Sequence, residues 1–472
     1  MPAPIHLSEV LVATNARIIG KIAHDTTFRW IERNSREVQP GDLFLAVAGE
    51  RFDGHQFLAD ATSHGAAAAL VAERWLVEQN DPAPIPLLVV PDPVAALQQI
   101  ASLRRGSLDV QVIGITGSIG KTSTKEVVAA IVARKDSTYR SPGNMNSEIG
   151  LPLSLLEIAP TDRFAVLEMG GAYAFGELAL LAEIAKPTIG IVTNVHPVHL
   201  ERMGTIENIA LTKRELVEAL PADGLAVLNG DDPRVLDMAA HATCEVITYG
   251  LSPTNDIWAS AVQTHGLRGT SFQLNGSGQS VHLRLPLIGG HAPFLALPAI
   301  AVGQWLGMHI SEIMPGFDDP AIQVRLLVLE GPNGSTMIDD TYNASAPSVL
   351  SALGLLEEMA DDRRIAVLGD MRELGAESEE QHRLVGRRAT EVVDILITYG
   401  PLAMTIAQEA KDRLSESGAR TQEIRSFAVN EQSALIDYLR EITTAEDTVL
   451  LKGSRGLEME NIVAALNPVA NP

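Results

Sequence analysis

Residues 112–126, VIGITGSIGKTSTKE, run a β-branched strand into a glycine-rich turn that ends on Lys121, Thr122 and Ser123 at the start of a helical pattern. This order restricts the fold, because it requires a strand and helix joined by a tight loop that leaves backbone N–H groups facing outward. Such a loop surrounds phosphate oxygens with the amides and hydroxyls of Thr116, Gly117, Ser118, Ile119, Gly120 and the residues after them. Lys121 neutralises the phosphates, and the Thr122 hydroxyl can take Mg²⁺. Strict P-loop spacing would place a glycine at position 115, which is Ile115; the glycines here are Gly114, Gly117 and Gly120, a shorter variant. The alternative is a glycine-rich turn ahead of an ordinary helix, which explains neither the lysine nor the paired hydroxyls. The stretch therefore predicts binding of a nucleoside triphosphate.

The surrounding pattern places the loop in an α/β fold. From VQVIGIT onward, FAVLEMG, TIGIVTNV, GLAVLNG and CEVITYG alternate with amphipathic helical stretches, as in a parallel sheet covered on both faces. Residues 256–288 change to shorter strands with GSG and HGLRG turns, which predicts an antiparallel flap, and a helical stretch to about 307 follows. A third block restarts the alternation with STMIDD, RRIAVLGD, DILITYG, EIRSFA and DTVLLKG, a second doubly wound domain. Before the loop, GDLFLAVAG, GAAAALVA and IPLLVV are short strand-like runs, joined onward by a helical connector over about 93–106. The reading is three α/β domains: 1–90, a smaller N-terminal one; 91–315, central and P-loop-bearing; and 316–472, Rossmann-like. A length of 472 residues supports that number.

Charge and cysteine content narrow the function. Thirty-six basic against 59 acidic residues give a net charge of −23, which opposes general nucleic-acid binding or an anionic membrane surface. The single cysteine, Cys244, excludes an internal disulfide and suits a reducing compartment. The opening MPAPIHLSEVLVATNARIIG lacks an unbroken apolar stretch, and no run approaches the ~20 residues of a bilayer span. A soluble, cytoplasmic location is expected.

Other strand ends offer chemistry beside the loop. FAVLEMG ends on Glu168, and TIGIVTNVHPVHLERMG carries Asn194, His196, His199 and Glu201. In open sheets ligands gather at such ends. A carboxylate, a histidine and hydroxyls near phosphates make a magnesium site, since Mg²⁺ takes few protein ligands besides phosphate and water.

Taken with GNMNSEIGLPLSLL (143–156) and ALTKREL, these motifs resemble the Mur ligase family of peptidoglycan synthesis. The resemblance runs the length of the chain. NSREVQPGDLFLAVAGERFDGHQF (34–57) is similar to the family's uridine-nucleotide domain. IDDTYNASAPSV (338–349), GDMRELGAES (369–378) and LLKGSRGLEMENIV (450–463) look like the branch that adds D-alanyl-D-alanine. The resemblance implies ATP-driven activation of a carboxylate to an acyl phosphate, then attack by an amine. The substrates it implies are a UDP-N-acetylmuramoyl tripeptide and D-alanyl-D-alanine, handled by a monomer.

Residue by residue, the resemblance implies that Lys121 grips the β/γ-phosphates and that Thr122 and Glu168 hold one Mg²⁺. His199, preferred over His196, would serve a second ion. Lys213 in LTKREL would be carried as a carbamate, although a lysine on an amphipathic helix is ordinarily a solvated side chain. Asn144 and, from the third block, Arg325, Asp339, Tyr342 and Asn343 would reach the nucleotide. Asn146, Lys452, Ser454 and Arg455 would bind peptide or close the cleft, and Ser35, Arg36, Asp53, Gly54 and His55 would face the uridine diphosphate. Ala292 and Leu295 replace asparagines usual in the family, so adenine contacts must differ. Two alternatives remain: a sister ligase adding another amino acid, and a nucleotide-binding homologue without ligase activity. Against the sister, DDTYNAS stands where its DYAH segment would be, and no DNPR-like motif occurs.

Overall fold

The computed structural model describes residues 3–467 except 50–51, 78–82, 172–173, 199, 277, 324–326, 361 and 415–417. Its centre is a nine-stranded sheet in which Gln111–Thr116 lies between Phe164–Glu168 on one side and Ile189–Val192 on the other. The chain reverses its winding direction at this strand, so the loops after all three strands leave a crevice at their carboxyl ends. Register places Glu168 beside Ile115 and Val192 beside Thr116, which brings three functional strand ends to one edge.

Burial accounts for the helices on each face. Helix Lys121–Val132 turns Val127, Val128 and Ile131 against Ile113, Ile115 and Ile191, and each fully buried aliphatic side chain contributes about 1.5–3 kcal/mol. On the opposite face, helix Ile206–Glu218 approaches where Gly114 and Gly190 leave room. A methyl at Gly114 would lie 2.5 Å from Met169 Sδ and 3.2 Å from Leu216, and one at Gly190 would lie 3.0 Å from Leu220. These glycines permit the close seating of the helix that carries Lys213. The antiparallel strands Ile257–Thr264, Thr270–Gly276 and Gln279–Leu285 extend the same sheet rather than forming a separate flap.

The first block is a five-stranded sheet ordered Arg17–Ile19, Leu87–Val90, Ala68–Ala72, Leu43–Leu45, Ile31–Glu32, with only the first strand antiparallel to its neighbour. The connector folds as helix Pro93–Gly106, with Asp92 accepting from Val94 N at 2.8 Å and proline in its first turn. One continuous apolar cluster joins this helix to both the first and central sheets. Arg104 is held by Glu9 at 3.0 Å, while Arg105, one residue on, donates to the Ala185 carbonyl at 2.7 Å. The connector is thus part of two cores.

The third block is a six-stranded sheet, ordered Leu327–Glu330, Thr336–Asp340, Asp447–Lys452, Arg363–Gly369, Ile395–Tyr399, Glu423–Phe427, with apolar clusters on both faces. Its prolines make residues 315–320 look like a hinge, yet the 3₁₀ turns Met314–Asp318 and Pro320–Gln323 pack on the central block. Phe317 and Ile322 belong to the central core, and Gly316 lies against the Ile131 backbone. The block starting at 316 in sequence therefore gives its first residues to the centre. Among the described residues, no helix is long and apolar enough to cross a membrane.

Candidate active site

The loop after Gln111–Thr116 is held by its neighbours. Ser118 N and Ile119 N donate to the Asn194 carbonyl and its Oδ1, both at 2.9 Å, and Thr193 Oγ1 donates to the Ile119 carbonyl at 2.7 Å. Ser118 Oγ donates to the His196 carbonyl and receives His196 N–H. The amides of Ser118 and Ile119 are therefore committed to the strand-end loop. The first-turn amides of Lys121, Thr122 and Ser123 have no intrahelical acceptor, the arrangement by which a helix start offers donors to an anion. Gly117 has φ +147°, and any Cβ there would sit 1.9 Å from Thr193 Oγ1, so only glycine fits. Lys121 folds over the loop, with Nζ 2.7 Å from the Gly117 carbonyl. Thr116 supports it from below by donating to the Gly170 carbonyl.

Glu168 is buried at the next strand end. One carboxylate oxygen accepts from Thr122 Oγ1, the other from Asn146 Nδ2 at 2.7 Å. The residues thus bring together a P-loop hydroxyl, a carboxylate and an amide from the asparagine segment. Among the described residues, no three of His, Cys, Asp and Glu cluster to hold a metal unaided. One hydroxyl and one carboxylate fit Mg²⁺, which fills its remaining positions with phosphate and water. His199, the sequence choice for a second ion, lies outside the described residues, as does Arg325. His196 is partly buried beside the loop, and that burial lowers its pKa against an upward pull from Asp232.

Lys213 is buried on helix Ile206–Glu218, at 2% exposure. Burial, and then the positive charge of Lys121, bring its pKa down to about 7, against an upward pull from Glu177. An exposed lysine on an amphipathic helix would have none of these properties. The structure places this amine, poised to be neutral, within the field of the P-loop lysine.

Among the described residues, Arg455 brings the third block to the asparagine segment. Arg455 Nη1 lies 3.4 Å from Asn144 Oδ1, and its guanidinium lies 5.4 Å from the Tyr342 ring. Asp339 and Asn343 shape their own loop: Asp339 Oδ1 accepts from Thr341 N and Oγ1, and Asn343 Oδ1 from Ala344 N. Lys452 is buried, paired with Asp340 at 2.6 Å and with the Asn343 carbonyl at 3.0 Å. Ser454 Oγ accepts from Arg372 N, and Ser454 N donates to the Asp370 carbonyl. Lys452 and Ser454 therefore brace the loops, while Arg455 alone of the three spans the blocks.

Three family models match the chain in order: the Mur ligase family catalytic domain over 27–105, the Mur ligase middle domain over 115–303, and the Mur ligase glutamate ligase domain over 324–455. The UDP-N-acetylmuramoyl-tripeptide–D-alanyl-D-alanine ligase of Bacillus subtilis is 33% identical over 450 residues, 93% of either chain. The chain belongs to the Mur ligase family. A crystal structure of MurF from Acinetobacter baumannii matches with TM-score 0.84 and 28% identity, over 98% of this chain and 99% of that one. MurF from Thermotoga maritima in complex with ADP matches with TM-score 0.76 and 28% identity, over 93% and 97%.

The N-terminal residues of this Mur ligase form a separate group. His55 is buried between Asp53, whose Oδ1 lies 2.5 Å from its Nδ1, and Ala72, whose N–H donates to its Nε2 at 3.0 Å; it stacks on Trp75. Burial tends to raise the Asp53 pKa, but the hydrogen bonds from His55 hold it below the usual range. Both His55 nitrogens are thus engaged inside the fold. Gly54 sits where a Cβ would lie 2.7 Å from the Val47 backbone. Ser35 is buried and Arg36 exposed in the turn after Ile31–Glu32. A cavity of about 260 Å³ opens here against the central block, lined by His55, Arg74, Gln98 and Glu148 among others. Sequence reasoning passed over Arg74, and also Thr193 and Ser141 at the loop. Their signal was position alone: Thr193 and Ser141 each follow a strand of the central sheet, and Arg74 lies just after Ala68–Ala72 of the first. Ala292 is buried at the start of helix Ala292–Trp305, and Leu295 packs against the central core.

Proposed function

We propose that this chain uses ATP to join D-alanyl-D-alanine to a UDP-N-acetylmuramoyl tripeptide through an acyl phosphate. The observation that carries this reading is the buried Glu168, bridged to the P-loop by Thr122 and to the asparagine segment by Asn146. That group has the donors for Mg²⁺ at a triphosphate, and the chain offers it on a scaffold matching the named ligases almost end to end.

In this reading the amides of Lys121–Ser123 hold the phosphates, and Lys121 meets the charge that develops as the γ-phosphoryl group moves. Thr122 and Glu168 would hold Mg²⁺, with His199 and modified Lys213 serving a second ion; the metal would neutralise phosphate charge. Asn144, Arg325, Asp339, Tyr342 and Asn343 would meet the rest of the nucleotide, with Arg455 closing over it. Asn146, Lys452 and Ser454 order the peptide side, and Ser35, Arg36, Asp53 and Gly54 the uridine diphosphate, with His55 setting the shape of their loop. The reading takes the protein to act as a monomer.

Lys213 becomes an anion in this account. Its neutral amine attacks the carbon of CO₂, one C=O pair moves to oxygen, and the nitrogen's proton leaves to solvent. The lowered pKa supplies the free amine that this step needs.

Phosphate release is the first test. With ATP and Mg²⁺, release is expected only when UDP-tripeptide and D-alanyl-D-alanine are both present. Equal release with either one omitted would overturn the assignment.

A further inference from the structure

The helix that begins at Lys121 carries a second lysine one turn on, and it has no solvent exposure at all. Lys125 Nζ lies 2.5 Å from the Ser141 carbonyl, 3.2 Å from the Gly143 carbonyl and 2.9 Å from Glu126 Oε1. Three donors thus meet three acceptors. A buried ammonium is costly to desolvate, and a hydrophobic side chain of similar length would fill the same volume. What such a side chain could not do is satisfy two carbonyls that converge on one point.

Those carbonyls belong to the segment that leads into the carboxylate site. Ser141 is itself buried, and its Oγ accepts the Glu168 backbone N–H at 3.1 Å. Gly143 turns the chain at φ +49°, and three residues later Asn146 donates to Glu168 Oε1 at 2.7 Å. The Asn146 carbonyl also accepts from Gly170 N at 2.8 Å, just past Glu168. The segment therefore grips Glu168 from its backbone and its side chain, and Lys125 grips the segment.

We infer that Lys125 is a positioning residue: it fixes the 141–146 segment so that Ser141 and Asn146 hold Glu168 in place for a divalent cation at the phosphate loop. It touches neither cation nor nucleotide. The inference rests on the proposed function, since it deepens the role given there to Glu168. Groups that orient a metal ligand typically change metal affinity about 10–100-fold when removed.

The test uses the full-length protein with a non-hydrolysable ATP analogue and Mn²⁺ as the probe, its affinity read by electron paramagnetic resonance. Lys125→Met is expected to weaken Mn²⁺ binding about tenfold and raise the half-saturating Mg²⁺ for turnover in parallel, an effect larger than any change in the KM for UDP-tripeptide. Circular dichroism and thermal melting establish that the variant is folded. Ser141→Ala removes only the oxygen that accepts from Glu168 N, and is expected to weaken Mn²⁺ binding about threefold. Should Lys125→Met not fold, Ser141→Ala decides alone. Unchanged Mn²⁺ affinity in a folded Lys125→Met, or in Ser141→Ala where that variant decides, would overturn the inference. A wild type that binds Mn²⁺ and nucleotide but joins no dipeptide would instead overturn the proposed function.

Discussion

Lys121→Ala is expected to lower kcat on the order of 10²–10³-fold or more, while the protein melts as before. The side chain folds over the loop onto the Gly117 and Ser118 carbonyls. Its removal takes away charge opposite the moving phosphoryl group, an effect realised mainly in the transition state, so kcat falls more than ATP binding does. The loop itself stays in place, because Asn194, Thr193 and Ser118 hold it independently. Stopped or steady-state phosphate release with both substrates measures the effect. Near-wild-type turnover with normal ATP affinity would remove the phosphate-loop assignment.

Lys213→Ala is expected to be inactive, with a loss on the order of 10²-fold or more. An unmodified cation beside Lys121 and a metal would be repelled, so the position makes chemical sense only when its charge is masked. Bicarbonate is not expected to restore the alanine variant, whereas a short carboxylic acid that fills the vacated space restores part of the activity. Lys213→Arg keeps the positive charge but cannot form the carbamate, and full activity in it would contradict the modification. The wild type adds a pH signature. In CO₂-free buffer the unfolded chain binds the extra proton between about 7 and the ordinary lysine value of 10.5, so stability rises with pH across that window and is lost as pH falls through about 7. Thermal melting of wild type against Lys213→Ala from pH 7 upward reads the difference. Parallel melting curves would mean that the amine is not held neutral.

Much of this fold was legible because its signals are local. The β-branched run before Gly117, the hydroxyls after Lys121 and the alternation of strand with helix each depend on neighbours within about one element. The connector helix was readable to its ends, since Asp92 and Pro93 form a start signal. Residues 315–320 show the opposite case: their prolines resemble a hinge, but Phe317, and Ile322 just beyond, find partners in the central core, over 100 residues upstream at Ile131 and beyond. The site shows the same division. Lys121, Thr122 and Glu168 announce themselves by motif and strand end. That Lys452 is spent on Asp340, that His55 is closed between Asp53 and Ala72, and that Lys125 serves Ser141 depend on long-range pairings. No spacing rule along the chain encodes them.

The decisive measurement follows oxygen. In the proposed reaction a carboxylate oxygen of the tripeptide attacks the γ-phosphorus, ADP leaves, and the amine of D-alanyl-D-alanine then displaces phosphate from the acyl carbon. The phosphate departs with the carboxylate's oxygen, because the C–O bond is the one that breaks. Tripeptide labelled with ¹⁸O in the reacting carboxylate is incubated with ATP, Mg²⁺, D-alanyl-D-alanine and the enzyme, and both products are weighed by mass spectrometry. One ¹⁸O in each phosphate, matched by one new amide in the UDP-peptide, is expected. Unlabelled phosphate, or phosphate released without the longer UDP-peptide, would contradict acyl-phosphate ligation by this chain.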